Sequence, residues 1–133
     1  MTVTMCDAGG RHTLAFERHL AHPAAKVWRA LTEEAEVRAW FPAAIDGERA
    51  VGATLRFVFA GDEAPPTEGT ITIFEPPRLL EFTWSGEVLR WELTPEPGGC
   101  VLRFTHTFDD RAGAASFGAG WHGCLDALER VLA

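Results

Sequence analysis

The sequence predicts an α+β fold in which one curved antiparallel sheet is covered by a single long C-terminal helix. Three observations predict it. Between residues 54 and 108, short alternating segments follow one another at turn spacing, which implies antiparallel pairing. Phe117, Trp121, Cys124, Leu125, Leu128 and Leu132 recur at three- and four-residue steps, the stripe of an amphipathic helix. A chain of 133 residues with no linker-like tract suits one domain, 1–133, with one core.

Residues 1–10 end in Gly9-Gly10 and read as a loosely ordered lead-in or short strand extension. Thr13 to Leu20 alternates, with Leu14, Phe16 and Leu20 on one side, and is expected to be the first strand. His22-Pro23 opens a short helix, because proline is tolerated in a first turn. Thr32 is expected to cap a second short helix that runs to Trp40-Phe41-Pro42, with Glu33 and Glu34 favoured by its dipole. Strands follow at Thr54–Ala60, Gly69–Phe74, Leu79–Trp84, Val88–Thr94 and Val101–Phe108, about six in all. Pro76-Pro77 and Gly98-Gly99 punctuate them, since proline cannot donate to a ladder. The last element, from about Ala112 to Leu132, carries Gly113, Gly118, Gly120 and Gly123. Glycine weakens a helix interior, so this helix is expected to start late or kink near Gly118 to Gly120.

Composition excludes several roles. A net charge of −7 lacks the cations that a phosphate backbone demands and is repelled by anionic membrane surfaces. No stretch reaches the ~20 apolar residues of a membrane span, and Met1 to Arg11 lacks a signal-peptide core. Cys6, Cys100 and Cys124 are odd in number and far apart. They fit neither a disulfide framework nor a zinc site, and read as reduced thiols of a cytoplasmic protein. His19 and His22 lack a third ligand, so no metal is expected. The chain holds no phosphate loop, nucleophile elbow or cysteine-pair motif, and its only serines are Ser85 and Ser116. No cofactor is called for.

An ordered series of motifs resembles one family. It begins with His22-Pro23-Ala24-Ala25-Lys26-Val27-Trp28-Arg29-Ala30-Leu31-Thr32 and Trp40-Phe41. Glu68-Gly69-Thr70, Phe74-Glu75-Pro76-Pro77-Arg78-Leu79 and Phe82-Thr83-Trp84 follow. Leu93-Thr94-Pro95, Gly98-Gly99, Leu102-Arg103-Phe104-Thr105-His106, Gly120-Trp121 and Cys124-Leu125-Asp126-Ala127-Leu128 complete it. Over residues 11 to 133 the chain is similar to proteins resembling the activator of the heat-shock-protein-90 ATPase homologue, in the SRPBCC or START-like superfamily. The resemblance implies a helix-grip fold, shared with birch-pollen-allergen-like domains, and a cavity between the long helix and the sheet. The eukaryotic co-chaperone carries a further N-terminal domain for its chaperone that this sequence does not show, so chaperone activation is not the first expectation.

Five Trp, nine Phe and no Tyr offer large apolar area with few polar handles. By the period-two rule, Phe57 and Phe59, Phe82 and Trp84, Trp91, and Phe104, His106 and Phe108 fall on common strand faces. Those faces are expected to look at Phe117, Trp121 and Leu125 on the helix. The resemblance places Trp40-Phe41-Pro42 near the cavity entrance; the other expectation for this segment is a hydrophobic plug closing one end of the core. Each aromatic serves packing or ligand contact, and the set serves both. His106 interrupts an apolar face, where an imidazole needs a partner; it orients a ligand, acts as a base, or is a bonded core histidine. Arg18 and Arg90 are expected to pair with Glu81 or Glu92 across strands, Arg90 alternatively holding a ligand carboxylate. Three functions follow: a module binding a hydrophobic or amphipathic small molecule; a cyclase- or hydrolase-type enzyme using His106; a co-chaperone or regulator with a protein partner.

Overall fold

The computed structural model describes residues 2–8, 11–59, 65–84, 86–109 and 114–133, with the backbone alone for 2–8 and 114–116. Eight strands and three helices alternate as β1 (Thr2–Ala8), β2 (Arg11–Leu20), α1 (Ala24–Thr32), α2 (Glu34–Val37), β3 (Ala43–Asp46), β4 (Thr54–Phe59), β5 (Thr67–Glu75), β6 (Leu79–Trp84), β7 (Glu87–Glu96), β8 (Gly99–Phe108) and α3 (Ala114–Leu132). The strands form one antiparallel order, β1-β2-β8-β7-β6-β5-β4-β3. This is the predicted helix-grip class with two more strands than expected. The lead-in is strand β1, paired from Thr2↔Glu17 to Ala8↔Arg11. Its partner β2 already presents an open edge, and an extended chain satisfies its backbone groups there. Strand β3 is four residues long, too short for alternation to reveal.

The sheet bends at β5. Residues 67–70 pair with β4 and residues 71–75 with β6. A register shift between Ile71 and Ile73 inserts one residue, which increases twist and turns Phe74 inward against Trp28. Gly69 permits the bend, because a Cβ there would lie 1.8 Å from the carbonyl oxygen of Thr83. At the β7–β8 hairpin, Pro97 precedes Gly98 at φ +82°, the residue pair a type II turn requires.

The core is the concave face. Leu14, Phe16 and Leu20 of β2, Leu102, Phe104 and Phe108 of β8, Leu89, Trp91 and Leu93 of β7, and Phe82, Ile71, Phe57 and Leu55 meet Trp121, Leu125, Leu128 and Leu132 of α3. Val27, Trp28 and Leu31 of α1 close one end. Thr32 does not cap α2. It is the last residue of α1 and its hydroxyl donates to the Trp28 carbonyl at 2.8 Å. Glu33 takes the cap position of α2 without a side-chain hydrogen bond, and α2 stops at Val37, with a turn at 38–40.

Arg18 faces inward from β2 and is 7% exposed. It does not pair with a strand glutamate. Its Nη1 donates to Asp126 at 2.8 Å and to Glu129, so it ties the sheet to α3. Arg90 pairs across strands with Glu81 at 3.3 Å, as expected, and lies 3.6 Å from Glu92 of its own strand, on the outer face. Removing both α3 carboxylates (Asp126→Ala with Glu129→Ala) is expected to cost roughly 3 kcal/mol in urea denaturation, because a buried guanidinium loses two charged partners. Arg18→Met is expected to cost less, roughly 1–2 kcal/mol, because the carboxylates left behind are half exposed and rehydrate.

Helix α3 is continuous from Ala114 to Leu132, with no break at Gly118, Gly120 or Gly123, and Gly113 lies outside the described residues. Burial of the Trp121–Leu132 stripe outweighs the propensity loss. An added Cβ at Gly118 or Gly123 meets nothing within 4 Å. Gly118→Ala and Gly123→Ala are each expected to raise stability by about 0.5–1 kcal/mol, read from the denaturation midpoint.

Candidate functional site

Close-packed strand faces account for most of the aromatic set. Trp91 stacks on Phe104 at a centroid distance of 3.9 Å. Phe57 and Phe82 lie ring to ring at 5.7 Å. Trp40 meets Trp91 at 5.3 Å, and its indole N–H donates to the Ala30 carbonyl at 2.8 Å. Phe41 wedges between Trp84 and Trp121 at 5.6 and 5.8 Å. Phe108 packs on Phe117 at 4.9 Å.

Beyond this core, toward the first half of α3, the side chains stop short of one another. A cavity of about 340 Å³ remains, lined by Pro42, Phe59, Trp84, Glu87, His106, Phe117, Gly120, Trp121 and Cys124. That volume falls within the range of small-molecule sites. Of the residues singled out in the sequence, Phe59, Trp84, His106, Phe117 and Trp121 line it. Trp40, Phe41, Phe57, Phe82, Trp91, Phe104, Phe108 and Leu125 do not; they form the packed floor and the core beneath. They share strand faces with the lining residues but sit further along, where helix and sheet are in contact.

Pro42, from the segment expected at the entrance, also lines it, whereas Glu87, Gly120 and Cys124 were not foreseen as lining residues. For Glu87 a signal existed. The alternation Leu89, Trp91, Leu93 extends back to Glu87 on the same face of β7, and Glu87 pairs directly with Trp84 across the β6–β7 hairpin. Leu89 in turn pairs with His106, which brings Glu87 and His106 together on the diagonal.

His106 is 1% exposed and fully engaged. The indole N–H of Trp121 donates to its Nδ1 at 2.9 Å. An indole only donates, so Nδ1 carries the lone pair and the ring proton sits on Nε2. Nε2 then donates to Glu87 Oε1 at 2.6 Å. Burial holds the imidazole below its ordinary pKa, more strongly than the hydrogen bond and charge of Glu87 raise it. A second ring proton would also face the Trp121 N–H. The bonded-core reading therefore holds for this histidine. Both ring nitrogens are occupied, and general base work would require Trp121 to move first.

Burial raises the Cys124 thiol above its ordinary pKa, and Cys100 likewise with help from Glu96. Both are free thiols and are held protonated. His122 packs edge-on against Phe16 at 5.5 Å, and His19 bonds Glu96 at 3.0 Å. Among the described residues no group of three potential ligands could hold a metal ion, and no helix is long and apolar enough to cross a membrane.

His106 sets a pH dependence of known sign. Folded, it stays neutral; unfolded, it takes up a proton below about pH 6.5. Protons therefore favour the unfolded chain, and the contribution is complete above about pH 6.5 and lost as pH falls toward the depressed folded value. The stability difference between the wild type and His106→Gln is expected to shrink between pH 7.5 and 5.5 in urea titrations. A difference that grew on acidification would show a charged imidazole paired with Glu87 instead.

The fold has solved counterparts. A protein from Mesorhizobium loti, MLL2253, superposes with a TM-score of 0.80 at 28% identity, over 90% of this chain and 96% of that one. CalU16 from Micromonospora echinospora gives 0.78 at 22% identity, covering 99% and 84%. EF2215 from Enterococcus faecalis, a conserved protein of unknown function, gives 0.84 at 22% identity, covering 98% and 76%. The latter two likenesses concern the fold alone. No curated protein matches the sequence. The family model described as activator of Hsp90 ATPase homolog 1-like protein matches residues 21–133, in line with the motif series from His22 to Leu128, and the chain belongs to that family.

Proposed function

We propose that the protein binds a hydrophobic or amphipathic small molecule in the cavity between α3 and the sheet, with Phe59, Trp84, Phe117 and Trp121 as its walls. One observation carries this reading. A volume of about 340 Å³ is left open beside a tightly packed core, with four large aromatic side chains, Phe59, Trp84, Phe117 and Trp121, among Pro42, Glu87, His106, Gly120 and Cys124. Apolar area brought out of water there contributes roughly 25 cal/mol per Å² before ordering costs. Family membership supports the reading, since the resemblance implies a ligand cavity in this place. A cytoplasmic location with reduced thiols accords with the free Cys100 and Cys124.

The direct test is native mass spectrometry of the protein purified from its own host, followed by denaturation and small-molecule analysis. A retained apolar compound supports the reading and identifies the ligand class. A protein that comes out empty, and whose tryptophan fluorescence also ignores neutral aromatic probes, shifts the weight to a partner at the surface. A blocking variant adds a steric criterion. An added Cβ at Gly120 meets nothing within 4 Å, so Gly120→Leu is expected to fold as well as the wild type and fill the cavity. Probe affinity is expected to fall about tenfold or more, the equivalent of about 1.4 kcal/mol. Unchanged affinity would place the probe elsewhere.

A further inference from the structure

Among the described residues the cavity walls carry one carboxylate, that of Glu87, and neither lysine nor arginine. Its Oε1 accepts from His106 Nε2, and its Oε2 has no protein partner among the described residues. The side chain is 31% exposed, which puts the carboxylate where the cavity meets solvent. His106 is neutral and cannot cancel the charge, because its Nδ1 is held by Trp121. Arg11 donates to the carbonyl of Gly86, next to Glu87 in the chain, and pairs with Asp109 at 2.9 Å, so that pair brings no net charge. Trp84 sits directly across the strand pair from Glu87. Trp121 and Phe117 pack against His106 at centroid distances of 5.7 and 4.7 Å.

Aromatic faces attract cations, and a carboxylate at the edge of a low-dielectric cavity repels other carboxylates. Resting on the reading that this cavity is the ligand site, we infer that its ligand is an amphipathic organic cation. A protonated amine would be held by the free oxygen of Glu87, with its apolar body between Phe59, Trp84, Phe117 and Trp121. Fatty acids and other anionic amphiphiles are selected against.

The test uses three probes that share one apolar body and differ in the head group: 3-phenylpropylamine, 3-phenylpropan-1-ol and 3-phenylpropanoate. Each is titrated at pH 7 and low salt into the wild type and Glu87→Gln, following tryptophan fluorescence and the NMR signals of the indole N–H groups. The amine is expected to bind the wild type about tenfold more tightly than the propanoate, with the alcohol between them. In Glu87→Gln the amine is expected to lose that advantage while the alcohol changes less than about threefold. This substitution changes the net charge of −7 by one unit only, so the protein's overall field cannot produce the difference. An amine no tighter than the alcohol, or a preference that survives Glu87→Gln, overturns the inference. Where the variant loses its fold, the wild-type ranking decides alone, and a propanoate equal to the amine overturns it. Binding of the alcohol without head-group preference refutes the cation while leaving the cavity reading intact. Failure of all three probes to shift any indole signal refutes both.

Discussion

The hydrogen bond from the Trp121 indole to His106 Nδ1 is the contact on which this architecture turns. Both groups are buried, and each would cost free energy if left without a partner. The bond satisfies both at once and holds α3 to β8 at one height and one rotation. Around it Trp121 meets Phe41, Trp84, Trp91 and Phe104, so a displaced helix would disturb four ring contacts together with the bond. The same contact settles the tautomer of His106 and, through Nε2, aims the imidazole at Glu87.

The cavity is a consequence of that placement. Leu125 reaches the sheet in the packed core beneath, and Trp121 forms a wall. Beside Trp121 the helix offers Gly120, and Phe59 and Trp84 line the same space from the strands. No side chain fills the space that Gly120 leaves. An interior packed to crystal-like density elsewhere thus ends in an open volume where small helix residues face large strand residues. Gly120, which weakens the helix as a local structure, leaves this side of the volume open.

The polar groups of the site follow one logic. Burial keeps His106 neutral, the indole occupies its remaining lone pair, and its proton serves Glu87. What faces the cavity is consequently an acceptor that carries charge. On the opposite flank, Arg18 reaches from β2 to Asp126 and Glu129 and binds the second half of α3 to the sheet. The helix is clamped at two levels by two chemistries, one neutral and buried, the other ionic and at the rim. Family membership accounts for the fold; what the site can hold follows from the chemistry of Glu87, His106 and Trp121.

By itself, the sequence determined what period and punctuation encode. The stripe from Phe117 to Leu132 specified a helix with one apolar face. The alternations from Thr54 to Phe108 specified antiparallel strands and which of their residues look inward, and the motif series pointed to the family. Tertiary structure decided what depends on distance between elements. It made a strand of residues 2–8, because only the open edge of β2 gives an isolated segment its hydrogen bonds. It assigned Arg18 to helix carboxylates more than a hundred residues away rather than to strand neighbours, and it ran α3 without a break through glycines that favour one. It also divided thirteen aromatic, histidine and leucine candidates into cavity wall and packed core. Residues two apart on one strand share a face in the sequence, but only the height at which Trp121 docks on the sheet decides which of them touch the helix and which face open space.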